Sequence, residues 1–394
     1  MSNDVTQGDA VRLAHRIGSE IAAVHAQDVD RNARFPAESI AALKEAKLLS
    51  ALVPVELGGM GMGMMELTAI CTALGQYCAA SAMVFAMHQI QVACIVRHGL
   101  GSEFFRAYCR ELVERQMLIG SITSEVGIGG DTRSSICAVQ IEGDAFVLDK
   151  DATTISYGAQ ADDLLVTCRR DAGAARSDQI MVLARKGQFT LKQTSQWDTL
   201  GMRGTCSDGF RLEARDIPVE QILPKPFAEI AAQSMLASSH LLWSSVWFGI
   251  ANSAVDRART FVQAEARRQP SQVPPTALRL AEVSNALQAM RSAIVSALRR
   301  YEDAHGDADT IGSIGFSVML NNLKTTASEM AVDIVQRALS IVGLAGYKNG
   351  TPFSLGRPLR DILSAPLMIG NDRILANTAK LLLVQKGGGQ LMSA

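Results

Sequence analysis

Apolar residues follow three regimes along the chain. From residue 9 to about 120 they recur every three or four positions, the period that gathers them on one face of an α-helix. Val11, Ile17, Ile21 and Ala22 mark a first helix. Ile40, Leu43 and Leu49 mark a second, opened by Phe35-Pro36-Ala37; proline fits a first helical turn because its missing N–H would have no partner there. Pro54-Val55-Glu56-Leu57-Gly58-Gly59-Met60-Gly61 interrupts the pattern. Two more helices are predicted over 64–74 and 79–98, and their nearly continuous hydrophobicity predicts burial on most sides, as in a bundle.

From residue 119 the period drops to two. Segments 138–141, 145–148, 163–167, 179–183, 189–191 and 209–213 are separated by turns carrying Gly or Asp, which predicts an antiparallel barrel or sandwich of roughly 100 residues. Asp216-Ile217-Pro218-Val219 marks its exit, and after Pro226 the helical period returns over 235–264, 278–300, 316–341 and 365–384. Turn residues fill 343–358, and a flexible glycine tail is expected at 387–389. The fold class is therefore α+β, with an N-terminal helical domain (1–118), a central antiparallel β-barrel or sandwich domain (119–224) and a C-terminal four-helix bundle (225–394). Such layers leave interdomain clefts, where cofactors usually lie.

Composition narrows the functional classes. At 394 residues, with 48% hydrophobic and 20% charged, the chain can bury a large core. Its 38 basic and 39 acidic side chains nearly cancel, so no positive field is available to attract nucleic acid. No apolar run reads as long enough to span a bilayer, and the polar start MSNDVTQGDAVRLAHRI does not read as a secretory signal. A cytoplasmic location is expected. Seven scattered cysteines without a C-x-x-C pair read as buried thiols, and no metal site is expected.

Two features carry candidate chemistry. Ser121 to Asp131 reads SITSEVGIGGD; its glycines let backbone approach a ligand, and its hydroxyls and amides are donors. It lacks a P-loop lysine and the dinucleotide spacing, and an ordinary surface turn is the alternative reading. His88 lies inside the helix predicted over 79–98, either as a base facing a cavity or as a hydrogen-bonded core histidine. Trp243, Trp247 and Phe248 read as core.

Several segments match a known pattern in order and spacing. Pro54 to Gly61 fits Pro-x-x-x-Gly-Gly-x-Gly, and Ser124-Glu125-Val126-Gly127-Ile128-Gly129-Gly130-Asp131 fits Thr-Glu-Pro-x-x-Gly-Ser-Asp. Ile155-Ser156-Tyr157-Gly158-Ala159-Gln160-Ala161-Asp162 fits Ile-Thr-Asn-x-x-x-Ala-Asp. Gly201-Met202-Arg203-Gly204-Thr205, followed by Phe210 and Asp216-Ile217-Pro218-Val219, is the most specific match. Over essentially the whole chain these resemble the acyl-CoA dehydrogenase family of flavoproteins, a superfamily that also includes flavin-dependent monooxygenases.

The resemblance implies FAD as cofactor. Ser124, Gly129 and Asp131 would lie at the isoalloxazine edge, although Asp131 alternatively caps its own turn. Ile155 and Ser156 would lie near flavin N5, with Ser156 replacing the family's threonine. In the family the adenosine and pyrophosphate reach a neighbouring subunit through Arg-x-x-Phe-Gly and Gln-x-x-Gly-Gly. Those regions here contain Arg267 without the Phe-Gly, and Ser340 and Gly343 with Ser340 in place of Gln and Leu344 in place of Gly. Asn371 completes the implied cofactor positions. A homotetramer built as a dimer of dimers, or a homodimer, is also implied.

The catalytic base departs from the pattern. Family dehydrogenases use a glutamate in Tyr-Glu-Gly-Thr, shortly after Arg-Asp; here Arg360-Asp361 leads to Ile369, and a second family position falls near Ser239. Neither is a carboxylate. Asp372 follows Ile369 by about one helical turn and is the candidate base, against a role in capping or pairing with Arg373. Three readings follow. The chain oxidises an acyl thioester of coenzyme A or acyl-carrier protein at its α–β bond, with hydride transfer to FAD and an electron-transfer partner. Alternatively it is a monooxygenase served by a flavin reductase and acting on another small apolar substrate, with His88 or Ser156 beside the flavin. In the third reading it is a catalytically silent subunit.

Overall fold

Residues 7–386, apart from 269 and 305, are described by a computed structural model of the chain. The expected glycine tail at 387–389 lies outside the described residues. Helix α1 (Gln7–Ile17) runs through a π-turn (Gly18–Ala22) into α2 (Ala23–Arg31). Then come α3 (Ala37–Glu45), α4 (Met64–Gly75), α5 (Ala79–Gly99) and α6 (Glu103–Arg115). The start of α4 is fixed by Glu66, whose carboxylate accepts the Gly63 N–H at 2.9 Å. Helix α5 corrects one expectation: by length and composition it could cross a bilayer. In the fold, however, 83% of its apolar window is buried among other elements, which makes it a core helix.

Seven strands follow: β1 (Ile119–Ile122), β2 (Gln140–Glu142), β3 (Ala145–Ala152), β4 (Asp163–Arg169), β5 (Gln179–Ala184), β6 (Phe189–Ser195) and β7 (Gly209–Pro218). They form two sheets, ordered β1-β4-β5 and β2-β3-β7-β6. The second is antiparallel throughout, but β1 pairs with β4 in parallel, Ile119 opposite Asp163. The central domain is thus two open sheets rather than a closed barrel. The parallel pair arises because β1 enters from the helical domain, and the hairpin of β2 and β3 lies between it and β4; an intervening excursion lets a chain return in the same direction. Every residue of β4 except Arg169, and all of β5, is buried, whereas β3 alternates as a half-buried strand should.

The C-terminal layer comprises α7 (Phe227–Ile230), α8 (Leu236–Arg268), α9 (Thr276–Asp303), α10 (Ala308–Ile311), α11 (Ile314–Val342), α12 (Leu344–Tyr347), α13 (Gly356–Ile362) and α14 (Asn371–Leu382). Helices α8, α9, α11 and α14 make the bundle. Helix α14 begins at Asn371, not near 365, because Ile369 takes a left-handed backbone (φ 51°) and the Asn371 N–H bonds the Pro366 carbonyl at 3.0 Å.

The helical layers meet backbone to backbone where α4 crosses α8. A Cβ on Gly75 would stand 2.7 Å from the Val246 carbonyl oxygen, and one on Gly249 would collide with the Thr72 carbonyl. Gly249→Val should therefore force the helices apart and lower stability by about 2–3 kcal/mol, seen as a fall in the urea midpoint. An unchanged midpoint would refute this crossing.

Candidate functional site

The segment leaving β1 runs beside the segment leaving β3. Ser124 Oγ donates to the Thr154 carbonyl (2.7 Å) and accepts the Thr154 N–H (3.2 Å), while the Val126 N–H bonds the Asp151 carbonyl at 2.8 Å. One step further, the Ile155 N–H bonds Asp208 O (2.8 Å) and the Tyr157 N–H bonds Thr205 O (2.7 Å). Between them Ser156 Oγ lies 2.8 Å from Ser207 Oγ. Ile155 is wholly buried, so it contributes packing and backbone only, whereas Ser156 is half-buried.

Glu125 anchors the glycine-rich loop from beneath. Its buried carboxylate accepts from Ser135 Oγ (2.7 Å), Ile136 N–H (3.1 Å) and Cys137 N–H (2.6 Å), with the buried Lys150 ammonium at 3.7 Å. Above it Gly127, Gly129 and Gly130 have φ of 89°, 59° and 78°, a left-handed run that favours glycine. Among the described residues, no hydrogen bond takes up the N–H groups of residues 127–130. Asp131 does cap its own turn: its carboxylate accepts the Arg133 N–H and Nε–H, both at 3.2 Å. Partial burial opposes its charge, but the Arg133 bonds prevail and hold its pKa below the usual range.

The start of α14 reaches the same loop. Arg373 donates to the Gly129 carbonyl, and a Cβ on Gly130 would run into that guanidinium; Arg133 Nη1 adds a bond to Asn377 Oδ1 at 3.1 Å. The turn before α14 is held from below by Lys324, a buried lysine of α11. Its ammonium donates to Ile369 O and Asn371 Oδ1, both at 2.8 Å, and lies 5.7 Å from the Trp247 ring centre. Burial brings its pKa down to about 8 against the opposing charge of Glu329. Asn371 also donates to Ser328 Oγ and Glu329 Oε1, each at 3.1 Å, so it faces inward. Ile369 lies outside the helix, and the helical-turn relation expected between it and Asp372 does not exist. Asp372 is exposed, while Asn371, Ile374 and Thr378 form the buried face of α14.

Ser124, Ile155 and Ser156 thus share one edge, and Gly129, Asp131, Asn371 and Asp372 lie around the Arg373 contact. His88 is elsewhere. It is wholly buried, and its Nδ1 accepts the Ile119 N–H at 3.0 Å. That fixes the proton on Nε2, which donates to Leu49 O at 2.7 Å. Burial pushes its pKa down to about 4. Neither nitrogen is left to take a substrate proton, so the expected base is instead a bridge from α5 to β1. Arg267 is exposed at the end of α8; Ser340 is exposed near the end of α11, its hydroxyl donating to Gln336 O at 3.1 Å, and Gly343 closes α11 with φ 62°. Among the described residues, no hydrogen bond or ion pair joins these three to the loop.

Sequence reasoning missed Arg373 as a loop contact, Lys324, and the hydroxyls of Thr205 and Ser207. The Gly201–Thr205 motif carried a signal for Thr205, and Ser207 lies two residues beyond it.

Residues 7–108 match the family described as acyl-CoA dehydrogenase, N-terminal domain, and residues 230–380 match acyl-CoA dehydrogenase, C-terminal domain. The chain is 24% identical over 358 residues to cyclohex-1-ene-1-carbonyl-CoA dehydrogenase of Geobacter metallireducens, covering 89% of this chain and 91% of that protein. It is 26% identical over 356 residues to the amino sugar nitrososynthase DnmZ of Streptomyces peucetius, covering 87% and 84%. The FMN-bound structure of TdsC, a dibenzothiophene monooxygenase of Paenibacillus sp. A11-2, superposes with a TM-score of 0.83 at 16% identity, covering 95% of this chain and 97% of that one.

Proposed function

Since the chain belongs to the acyl-CoA dehydrogenase family, we propose that it is a flavin-dependent oxidoreductase whose flavin ring lies along the edge made by Ser124, the 127–130 loop and Ser156. The donor set fits that group. A flavin rim alternates carbonyl oxygens and ring nitrogens, and free backbone amides beside small hydroxyls are neutral partners for it. When bound, the flavin supplies the hydride or oxygen chemistry. The chain's own residues set the rest: Glu125 holds the loop, Arg373 fixes its outer carbonyl, and the glycines permit close approach of backbone.

The reading best supported is oxidation with reduced flavin and oxygen, on a small apolar substrate. Its chief support is the turn at Ile369. An apolar side chain stands where a family dehydrogenase needs a carboxylate, its carbonyl is held by the Lys324 ammonium, and Asp372 points away from the buried face. Proton abstraction from a thioester requires a base within reach of the activated carbon. A reductase would then supply the flavin, FAD being the form the motifs imply. One observation keeps thioester dehydrogenation as the second reading: Asp372 is next in the chain to Arg373, which bonds the Gly129 carbonyl. We place the protein in the cytoplasm as a homotetramer or homodimer, with Arg267, Ser340 and Gly343 facing the partner's cofactor.

The deciding experiment is anaerobic mixing of the flavin-loaded protein with acyl-CoA thioesters of increasing chain length, beside an oxygen-consumption assay with externally reduced flavin. No bleaching by any thioester, oxygen uptake with reduced flavin, and no effect of Asp372→Ala on that uptake are expected. Bleaching that Asp372→Ala abolishes would establish the dehydrogenase reading instead.

A further inference from the structure

One face of α8 carries buried polar atoms that nothing in the described chain satisfies. His240 Nε2, Trp243 Nε1, Ser244 Oγ and Trp247 Nε1 make no hydrogen bond, and each of these residues is at most 7% exposed. Following His240 by three, four and seven positions, the other three share its stripe of the helix. The stripe faces α11. Lys324 stands 5.7 Å from the Trp247 ring centre, and its charge bears on His240, whose ring centre lies 6.1 Å from that of Trp243. Asn321 also stands beside the imidazole, but its amide donates to Thr378 Oγ1 at 3.0 Å.

Lys324, itself wholly buried, is underpaired in the same way. An ammonium has three N–H donors, and two of them go to neutral oxygens, Ile369 O and Asn371 Oδ1. Glu329, the carboxylate that acts on its charge, accepts from Asn371 at 3.1 Å and forms no ion pair with it. Native interiors leave few buried donors unpaired, and buried charges find a counter-charge. Indole N–H groups and an ammonium can only donate. An occupant of this place must therefore accept from several donors, and a negative charge on it would complete the pairing of Lys324. A water would accept, but it brings protons of its own and no charge.

We propose that Lys324 and the α8 stripe form the end of the substrate site that receives an oxygen anion, a carboxylate or a phenolate, carried on an otherwise apolar molecule. The proposal rests on the flavin reading above only in calling that molecule the substrate. The turn at 366–370 links the two places: the Ile369 carbonyl accepts from Lys324, and Arg373 just beyond it bonds the glycine-rich loop. Lys324, Trp243 and Trp247 are binding residues, and the two indole rings supply apolar wall beside their N–H groups.

The test is calorimetric titration of the full chain, without added flavin, with two anions and a neutral twin of each: benzoate against benzyl alcohol, and 4-nitrophenolate against 4-nitrotoluene. At least one anion should bind about tenfold more tightly than its twin, the effect of a charge-assisted hydrogen bond. The tighter anion tells carboxylate from phenolate. Trp243→Phe and Trp247→Phe keep an aromatic ring and remove the N–H, so each should weaken the anion about threefold relative to its twin. Lys324→Met should erase the anion's advantage. Because that variant also frees the Ile369 turn, the two tryptophan variants carry the test if it does not fold. Equal affinities for anions and twins, binding of neither, or an anion preference unchanged in both tryptophan variants would overturn the proposal and leave ordered water as the partner of these donors. Since no flavin enters the titration, those outcomes leave the flavin reading standing. A wild type that binds an anion as expected but takes up no oxygen with reduced flavin would overturn the oxygen-dependent reading and leave the anion site in place.

Discussion

Replacing Asp361 with alanine is expected to cost about 3–5 kcal/mol of stability, the range for breaking a buried charged interaction from one side. The carboxylate is 4% exposed; its Oδ1 accepts the Met202 N–H at 2.8 Å, and its Oδ2 lies 3.8 Å from Arg357 Nη1. Alanine would leave a buried amide without an acceptor and a nearby guanidinium without its counter-charge. The surroundings cannot close the gap. A Cβ on Gly201 would already collide with the Arg360 carbonyl, so the two backbones are pressed together. Arg360 also pairs with Asp30 and donates to Leu200 O at 3.0 Å, while Arg203 Nε bonds Asp30 O at 2.9 Å. The Gly201–Thr205 motif is thus a clamp that ties the first helical layer, the sheets and α13 together. Asparagine should be far milder, with a loss of about 1 kcal/mol. Its Oδ1 can still accept from Met202, and burial raises the Asp361 pKa despite Arg357, so the charge itself is disfavoured there. Urea unfolding of both variants distinguishes the cases; equal losses would show that the charge, not the Met202 bond, holds the clamp.

How much of this was legible in the sequence depends on the range of the interaction. Helices α4 and α5 end within a residue of their expected bounds, since their apolar periods are local and long. The six expected strands likewise correspond to β2–β7. The start of α14 was misjudged because a left-handed isoleucine has no propensity signal; its conformation is imposed by Lys324 from α11 and by the bond to Pro366. Lys324 is equally silent, as a lone lysine in a helix reads as a solvated face. The loop at 124–131 was visible as chemistry, but its contact with Arg373 spans 244 positions. The Gly201–Thr205 motif was recognised by pattern, yet its clamp partner Asp361 lies 159 positions away. His88 was ambiguous for a related reason: a histidine on an apolar helix looks the same whether it faces a cavity or two backbone groups. Only the positions of Leu49 and Ile119 decide between them.

Acidification from about pH 6.5 towards pH 4 is expected to destabilise the fold, with buried neutral histidines as a principal cause. Burial lowers the pKa of His88 to about 4, with Lys44 acting in the same direction and Asp162 against it. His240 is pushed down to about 3 by burial and by the charge of Lys324. In the unfolded chain both would titrate near 6.5. Between that value and the folded pKa the unfolded state binds more protons than the folded one. Stability therefore rises with pH across this window and falls as pH is lowered through it. Full development of the His88 difference corresponds to about 3 kcal/mol near pH 4, large against the net stability of a typical domain. Glutamine is the informative replacement, because its amide can donate to Leu49 O and accept from the Ile119 N–H without titrating. His88→Gln should keep most of the stability at pH 7 and show a shallower loss in acid, whereas His88→Ala should be weaker at every pH, leaving the Ile119 N–H and Leu49 carbonyl unpaired. Urea midpoints at pH 7, 5.5 and 4.5 would check this, and an acid slope in His88→Gln as steep as in wild type would show that the bridge between α5 and β1 does not set the response.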